Sequence, residues 1–131
     1  MSPQLGAMHG ASFASDPKHL GFVLRRYHFV ARMLQGSNSV LEVGCGDMTG
    51  APIVKAVVDR YLGIDIDNGY HGDYCVHDMT CGPLVDRDII LKFDAVFALD
   101  VLEHIKPDDI DAFFKNINLN LRGHGTVIIG A

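Results

Sequence analysis

Ser39-Val40-Leu41-Glu42-Val43-Gly44-Cys45-Gly46-Asp47-Met48-Thr49-Gly50 is the stretch whose reading decides the fold. A short apolar run, Ser39 to Val43, meets two glycines one residue apart. Helix-compatible sequence then starts near Thr49 to Pro52 and carries Ile53, Val54 and Val57. This reads as a strand, a tight turn and a helix. Gly44 and Gly46 let the main chain turn sharply and admit a ligand close to the backbone, since neither carries a Cβ. The same Gly-x-Gly also serves ordinary strand-to-helix turns, so its meaning depends on what surrounds it.

Upstream, Asp16 suits a helix cap and Pro17 a first helical position. Leu20, Val23, Leu24, Tyr27, Val30, Ala31 and Leu34 recur at helical spacing, which predicts a helix from about Pro17 to Gln35, ended by Gly36. Downstream, Tyr61 to Ile66 reads as a second strand, Tyr74 to His77 as a third, and Phe93 to Leu99 as a fourth. The fourth is nearly continuous apolar sequence, as burial on both faces requires. Pro107 and Asp108 open a helix with Ile110, Phe113, Phe114, Ile117 and Leu121 on one side. Gly123 and Gly125 end it before a fifth strand, Thr126 to Ile129. Alternating strands and helices predict an α/β fold: a mainly parallel sheet between helices, in a three-layer αβα sandwich.

Two carboxylates sharpen the turn. Asp65 ends the second strand and lies 19 residues after Gly46. A carboxylate there can accept hydrogen bonds from both ribose hydroxyls of an adenosine ligand. The alternative is a turn cap, since Asp65 and Asp67 precede a glycine-containing loop. Glu42 is more discriminating, because it lies inside an apolar strand and a buried carboxylate is costly unless paired. A positive ligand or a set of backbone donors would offset that cost. A sulfonium with an α-amino group is such a ligand; a dinucleotide pyrophosphate is not.

The 131 residues leave room for one domain, and 48% apolar with 21% charged residues is ordinary for a globular one. Residues 1–15, rich in Gly, Ser, Ala and His, read as a flexible leader, with the domain over 16–131; Met1 to Ala14 lacks the pattern of a secretion signal. No apolar run reaches the roughly 18 residues of a membrane span, and no membrane partner is expected. The net charge of -5 argues against nucleic acid, and the Arg25, Arg26, Arg32 cluster reads as a solvated helix face. Three cysteines without a signal sequence suggest reduced thiols and a cytoplasmic setting. Cys75, His77 and Cys81 lack a fourth ligand at recognisable spacing, so no metal site is expected.

With these residues in view, the chain resembles the class I S-adenosylmethionine-dependent methyltransferases, in their small-molecule branch. Val40 to Gly46 looks like the first motif of that superfamily and Gly63-Ile64-Asp65-Ile66-Asp67 like the second. His77-Asp78-Met79 resembles the adenine-contacting step. Phe93 to Ile105, with its Val101-Leu102-Glu103-His104-Ile105 end, is the strongest match. Leu121-Arg122-Gly123-His124-Gly125 is similar to the turn before strand five. The resemblance implies a Rossmann-like fold that binds S-adenosyl-L-methionine and releases S-adenosyl-L-homocysteine. It also implies roles. Glu42 would orient the methionine end, directly or through water, and Gly44, Cys45 and Gly46 would let the cofactor cross the strand end. Asp65 would hold the ribose, Ile66 the adenine, Asp78 the adenine amino group, and the Met79 backbone would meet the ring. Leu99 and Asp100 would face the methionyl portion, and Tyr27 would reach the cofactor from the first helix unless it only packs in the core. Asp100 and His104 are the candidate general bases, with packing or capping as the alternative for His104.

Three departures stand out. Met48 occupies the place of the usual third glycine. Only about eight residues separate strands two and three, fewer than the dozen or so of a parallel crossover. The chain also stops on an apolar strand, which in a 3-2-1-4-5 order lies at an open edge. It is therefore expected to be truncated after strand five, or to have that edge covered by a partner chain, as in a homodimer. Three functions compete: methyl transfer to a small-molecule, saccharide-like or lipid-like acceptor; a non-catalytic S-adenosylmethionine-binding module or fragment acting through a partner; and a dinucleotide oxidoreductase fragment. The last lacks the Gly-x-Gly-x-x-Gly pattern, since Thr49 stands at the final position.

Overall fold

The computed structural model describes residues 17–130. The predicted leader, the Asp16 cap and Ala131 lie outside the described residues.

Helix α1 spans Pro17–Leu34 and ends at Gly36, whose φ of +85° is the left-handed conformation expected there. The main sheet contains β1 (Ser39–Val43), β2 (Arg60–Asp65), β3 (Cys75–Val76), β6 (Phe93–Leu99) and β7 (Leu121–Gly130). Its order is β3-β2-β1-β6-β7, with every pair parallel, which is the predicted 3-2-1-4-5 arrangement. A small antiparallel hairpin, β4 (Val85–Asp86) with β5 (Ile89–Ile90), projects before β6. Helix α2 is short, Ala51–Lys55, and α3 covers Ile110–Leu119 behind a 3-10 turn at Pro107–Asp109.

Alternation along the central strands divides the core between two faces. Val40 of β1 and Ala95 and Phe97 of β6 pack with Val23, Tyr27, Val30 and Leu34 of α1 and Val54 of α2. Leu41, Val43, Val96 and Ala98 point the other way, to Phe113 and Ile117 of α3 and to Met79 and Leu84. The three layers are thus α1 and α2, the sheet, and α3 with the loops beside it. By the same parity Glu42 lies on the α1 side.

The structure refines two predicted strands. The third shrinks to two residues, and residues 66–74 form turns and bends with no helix. The Tyr74 hydroxyl replaces a crossover helix as the brace: it donates to the Asp67 carbonyl at 2.7 Å and accepts from the Tyr70 N–H at 3.2 Å. The fifth strand begins earlier than predicted. Phe93 pairs with Leu121 and Ala95 with Thr126, so Arg122 to Gly125 form a bulge inside β7, with His124 at φ +67°.

Two polar residues fix how the strands start and the loops end. Asp94 accepts from the main-chain N–H groups of Asn38 and Ser39, both at 3.1 Å, while the Ser39 hydroxyl accepts from the Asp94 N–H. Asn120, fully buried at the end of α3, donates to the Leu84 and Leu91 carbonyls and accepts from the Leu84 N–H. It ties the hairpin base to α3.

Candidate functional site

A cavity of about 980 Å³ opens at the carboxyl ends of β1, β2 and β6, with α1 along one side. Open parallel sheets bind ligands at this edge, where strand order reverses. Gly44 (φ +76°) and Gly46 (φ +58°) form part of its floor. A Cβ on Gly44 would stand 2.3 Å from the Val101 side chain, so the turn has no room for a larger residue. The Gly44 and Cys45 N–H groups both donate to the Ile64 carbonyl, at 2.8 and 3.0 Å, which sets the turn against β2. Met48, in the place of the third glycine, adopts φ +64°. The left-handed turn is retained there without a glycine.

Asp65 lines the cavity. One carboxylate oxygen accepts from the Gly46 N–H at 2.9 Å and the other from the Asp67 N–H at 3.0 Å. Each oxygen keeps a second lone pair for a further donor. Ile66, next in line, is 71% exposed at the cavity wall, an apolar surface left uncovered by the described residues. Asp78 and Met79 also reach the wall. The Asp78 carboxylate accepts from the Thr80 N–H and hydroxyl, and these bonds, chiefly the hydroxyl one, hold it below the usual carboxylate range. Met79 is buried and its carbonyl accepts from Asn116 at 2.7 Å. Cys45 is buried beside Gly63, and burial pushes its thiol up to about 12, so it stays protonated at neutral pH.

Glu42, expected to orient the methionine end directly or through water, does not itself line the cavity. It is fully buried and lies beneath the cavity rather than on its wall. Tyr27 donates to one carboxylate oxygen at 2.5 Å and Tyr61 to the other. Strand parity explains the position: Glu42 points with Val40 toward α1, and Tyr27 of α1 covers it. Where a positive ligand or a set of backbone donors was expected to offset the buried charge, two phenols donate to it. Burial pushes the Glu42 carboxyl up to about 7, with the two tyrosine bonds opposing and Asp65 adding to the rise. Both tyrosine hydroxyls are driven upward, chiefly by burial and then by the Glu42 charge, and remain donors. Tyr27 lines the cavity above Glu42, and its ring rests where a Cβ on Gly50 would come within 2.4 Å.

At the exit of β6, Leu99 and Asp100 line the cavity. Asp100 has φ +58° and pairs with Arg26 of α1 at 2.6 Å. A Cβ on Gly130 would lie 2.3 Å from the Arg26 guanidinium, so that glycine makes room for the pair. His104 sits in an exposed 3-10 turn, Leu102–His104, also on the cavity wall.

The structure therefore brings Tyr27, Gly44, Cys45, Gly46, Asp65, Ile66, Asp78, Met79, Leu99, Asp100 and His104 around one cavity, with Glu42 beneath it. Sequence reading missed Tyr61, which needed the Glu42↔Gly63 register to be seen: Gly63 leaves space for the Tyr61 hydroxyl to reach across. It also missed Arg26, read as part of a solvated cluster, and Tyr70, whose ring meets Tyr74 edge-on at 6.3 Å beside Asp65 and Ile66. Among the described residues no three His, Cys, Asp or Glu side chains converge in a group able to hold a metal ion.

A parallel sheet in this order, with a glycine turn at β1 and a cavity over the switch point, defines a Rossmann-like α/β fold. The sequence matches the model of a methyltransferase domain over residues 18–130, and the chain belongs to that family. No curated protein matches it. Among solved structures, it is similar to the sugar N-methyltransferase KedS8 from Streptoalloteichus at 18% identity and a TM-score of 0.66, with 98% of this chain and 55% of that one covered. It is also similar to the N-methyltransferase NodS from Bradyrhizobium japonicum, at 16% identity and TM-score 0.65, covering 82% of this chain and 67% of the other. A DhpI complex with SAH gives 18% identity and TM-score 0.68, covering 92% and 62%. At these identities the likeness is one of fold. The chain spans roughly half of the first of the structures it matches, 48%, and 57% of the second.

Proposed function

We propose that residues 16–131 bind S-adenosyl-L-methionine and transfer its methyl group to a small-molecule, saccharide-like or lipid-like acceptor, leaving S-adenosyl-L-homocysteine. The observation that carries this reading is the cavity in which two positive-φ glycines adjoin an Asp65 carboxylate with acceptor capacity to spare. The residues fit the cofactor. Gly44 and Gly46 leave the main chain open to close approach. Asp65 offers acceptors to a ribose diol, and the uncovered Ile66 offers an apolar wall to adenine, with Asp78 and the Met79 backbone beyond it. Leu99, Asp100 and Tyr27 surround the opposite end, where the methionyl portion would lie, and Glu42 acts there through Tyr27. When bound, the sulfonium supplies the methyl group and an excellent leaving group. The chain's own residues supply alignment, which accounts for much of the acceleration in such a transfer.

An acceptor that must lose a proton needs a base at the β6 exit. His104 is the more open candidate, because Asp100 is engaged by Arg26. KedS8 and NodS bear names of N-methyltransferases, which supports a small-molecule acceptor. The net charge of -5 supports neither nucleic acid nor a polyanionic acceptor, and the three free cysteines fit a reducing, cytoplasmic setting. The edge strand β7 is the place for a homodimer contact or for further chain.

Calorimetry with S-adenosylmethionine, S-adenosylhomocysteine and NAD tests the reading. Binding of NAD with no binding of either adenosyl compound overturns it. Labelled-methyl transfer to candidate acceptors then separates an enzyme from a non-catalytic binding module. Asp65→Ala is expected to weaken S-adenosylhomocysteine binding about 10- to 100-fold, the worth of one or two hydrogen bonds to a charged acceptor. An unchanged affinity would remove Asp65 from the ribose site.

A further inference from the structure

Apart from Phe22, the outward face of α1 lies outside the cavity. At 3.6 residues per turn, Lys18, Phe22, Arg25, Phe29, Arg32 and Met33 fall within about 100° of one another. They lie opposite the buried stripe that includes Val23, Tyr27, Val30 and Leu34. Phe22, Phe29 and Met33 are 54%, 55% and 58% exposed. Scattered exposed apolar residues need no explanation, but three large ones on a single helix face do. The surrounding charge is one-sided: α1 carries Lys18, Arg25, Arg26 and Arg32 and no Asp or Glu, in a chain whose net charge is -5. Arg26 is taken up by Asp100 and also lies 5.6 Å over the Phe22 ring, which leaves Lys18, Arg25 and Arg32 facing outward.

We propose that this face of α1 docks on an anionic bilayer surface. The helix would lie along the surface, with Phe22, Phe29 and Met33 in the head-group boundary and the three cations against lipid phosphates. Charge complementarity selects this occupant. A second copy docked through the same face would set cation against cation. A nucleic-acid duplex would pair the cations but leave three bulky apolar side chains against a hydrated backbone. The expectation of no membrane partner rested on the lack of a spanning segment. Among the described residues no helix is long and apolar enough to cross a membrane, and a helix lying on the surface does not need to be. Phe22 belongs both to this face and to the cavity wall, so the cavity mouth adjoins the docked surface.

The test is sedimentation of the whole chain with phosphatidylcholine vesicles, with and without phosphatidylglycerol. The chain should co-sediment only with the anionic vesicles and be released by raised salt. The double variants Phe29→Ser with Met33→Ser, and Arg25→Glu with Arg32→Glu, should each lower the vesicle affinity about tenfold or more. Both pairs lie on the exposed face, and circular dichroism should match the parent chain. No binding to anionic vesicles, or unchanged binding by both double variants, overturns the proposal. So does a dimer in sedimentation velocity that these substitutions dissolve, or duplex DNA binding in place of vesicle binding. The calorimetric test of cofactor binding is independent of all these outcomes.

Discussion

Replacing Asn120 with alanine is expected to lower the unfolding free energy by about 3 kcal/mol, by the cost of stranding buried backbone groups. The Asn120 side chain makes three hydrogen bonds of 2.8 to 2.9 Å with the main chain of Leu84 and Leu91. The Leu84 carbonyl would keep a partner, since it also accepts from the Leu91 N–H at 3.1 Å. The Leu84 N–H and the Leu91 carbonyl would lose the Asn120 side chain and gain nothing from alanine. Each such group costs about 1–3 kcal/mol when buried and unpaired, and the emptied volume adds to it. Asn118, two residues earlier on the exposed side of α3, provides the control: alanine there should change stability by less than about 0.5 kcal/mol. Urea unfolding of both variants measures the difference. Equal midpoints for the two variants would show that the hairpin base is not held through Asn120.

The second large effect is a dependence on pH. Burial raises the Glu42 carboxyl from 4.5 to about 7 in the folded chain. Between those values the folded state keeps the proton and the unfolded chain has released it, so the folded state binds more protons. Stability from this group is therefore fully present below the unfolded value and is lost as pH rises through 7. The loss amounts to about 3 kcal/mol across the window, by the equivalence of one pKa unit to roughly 1.4 kcal/mol. Glu42→Gln cannot titrate, yet still offers an acceptor and a donor to the two tyrosine hydroxyls. Relative to the parent chain, that variant should gain about 3 kcal/mol between pH 4 and pH 8. Unfolding free energies of both chains at several pH values measure it. Parallel profiles would mean that Glu42 titrates alike in the folded and unfolded states. Tyr27→Phe should act in the opposite sense to Glu42→Gln at pH 8, since it withdraws a donor from a buried carboxylate.

Much of the fold is written in local pattern. The apolar run of β1 before Gly44, the helical spacing from Leu20 to Leu34 and the two-faced apolar run of β6 each follow from short-range sterics and from burial periodicity, which a sequence carries on its face. The cavity edge follows as well, because Gly44, Gly46 and Asp65 lie at strand ends that a parallel sheet must align. The partners of Glu42 do not. Tyr27 is 15 residues away and Tyr61 is 19, on a helix and a neighbouring strand, and only strand parity together with the Glu42↔Gly63 register brings their hydroxyls to one carboxylate. The same holds for the Arg26–Asp100 pair across 74 residues, and for Asn120, an unremarkable letter at a helix end until the hairpin folds back onto it. Periodicity is a property of neighbours along the chain. Pairing of buried polar groups depends on which elements meet and in what register, and that is settled only when the layers pack.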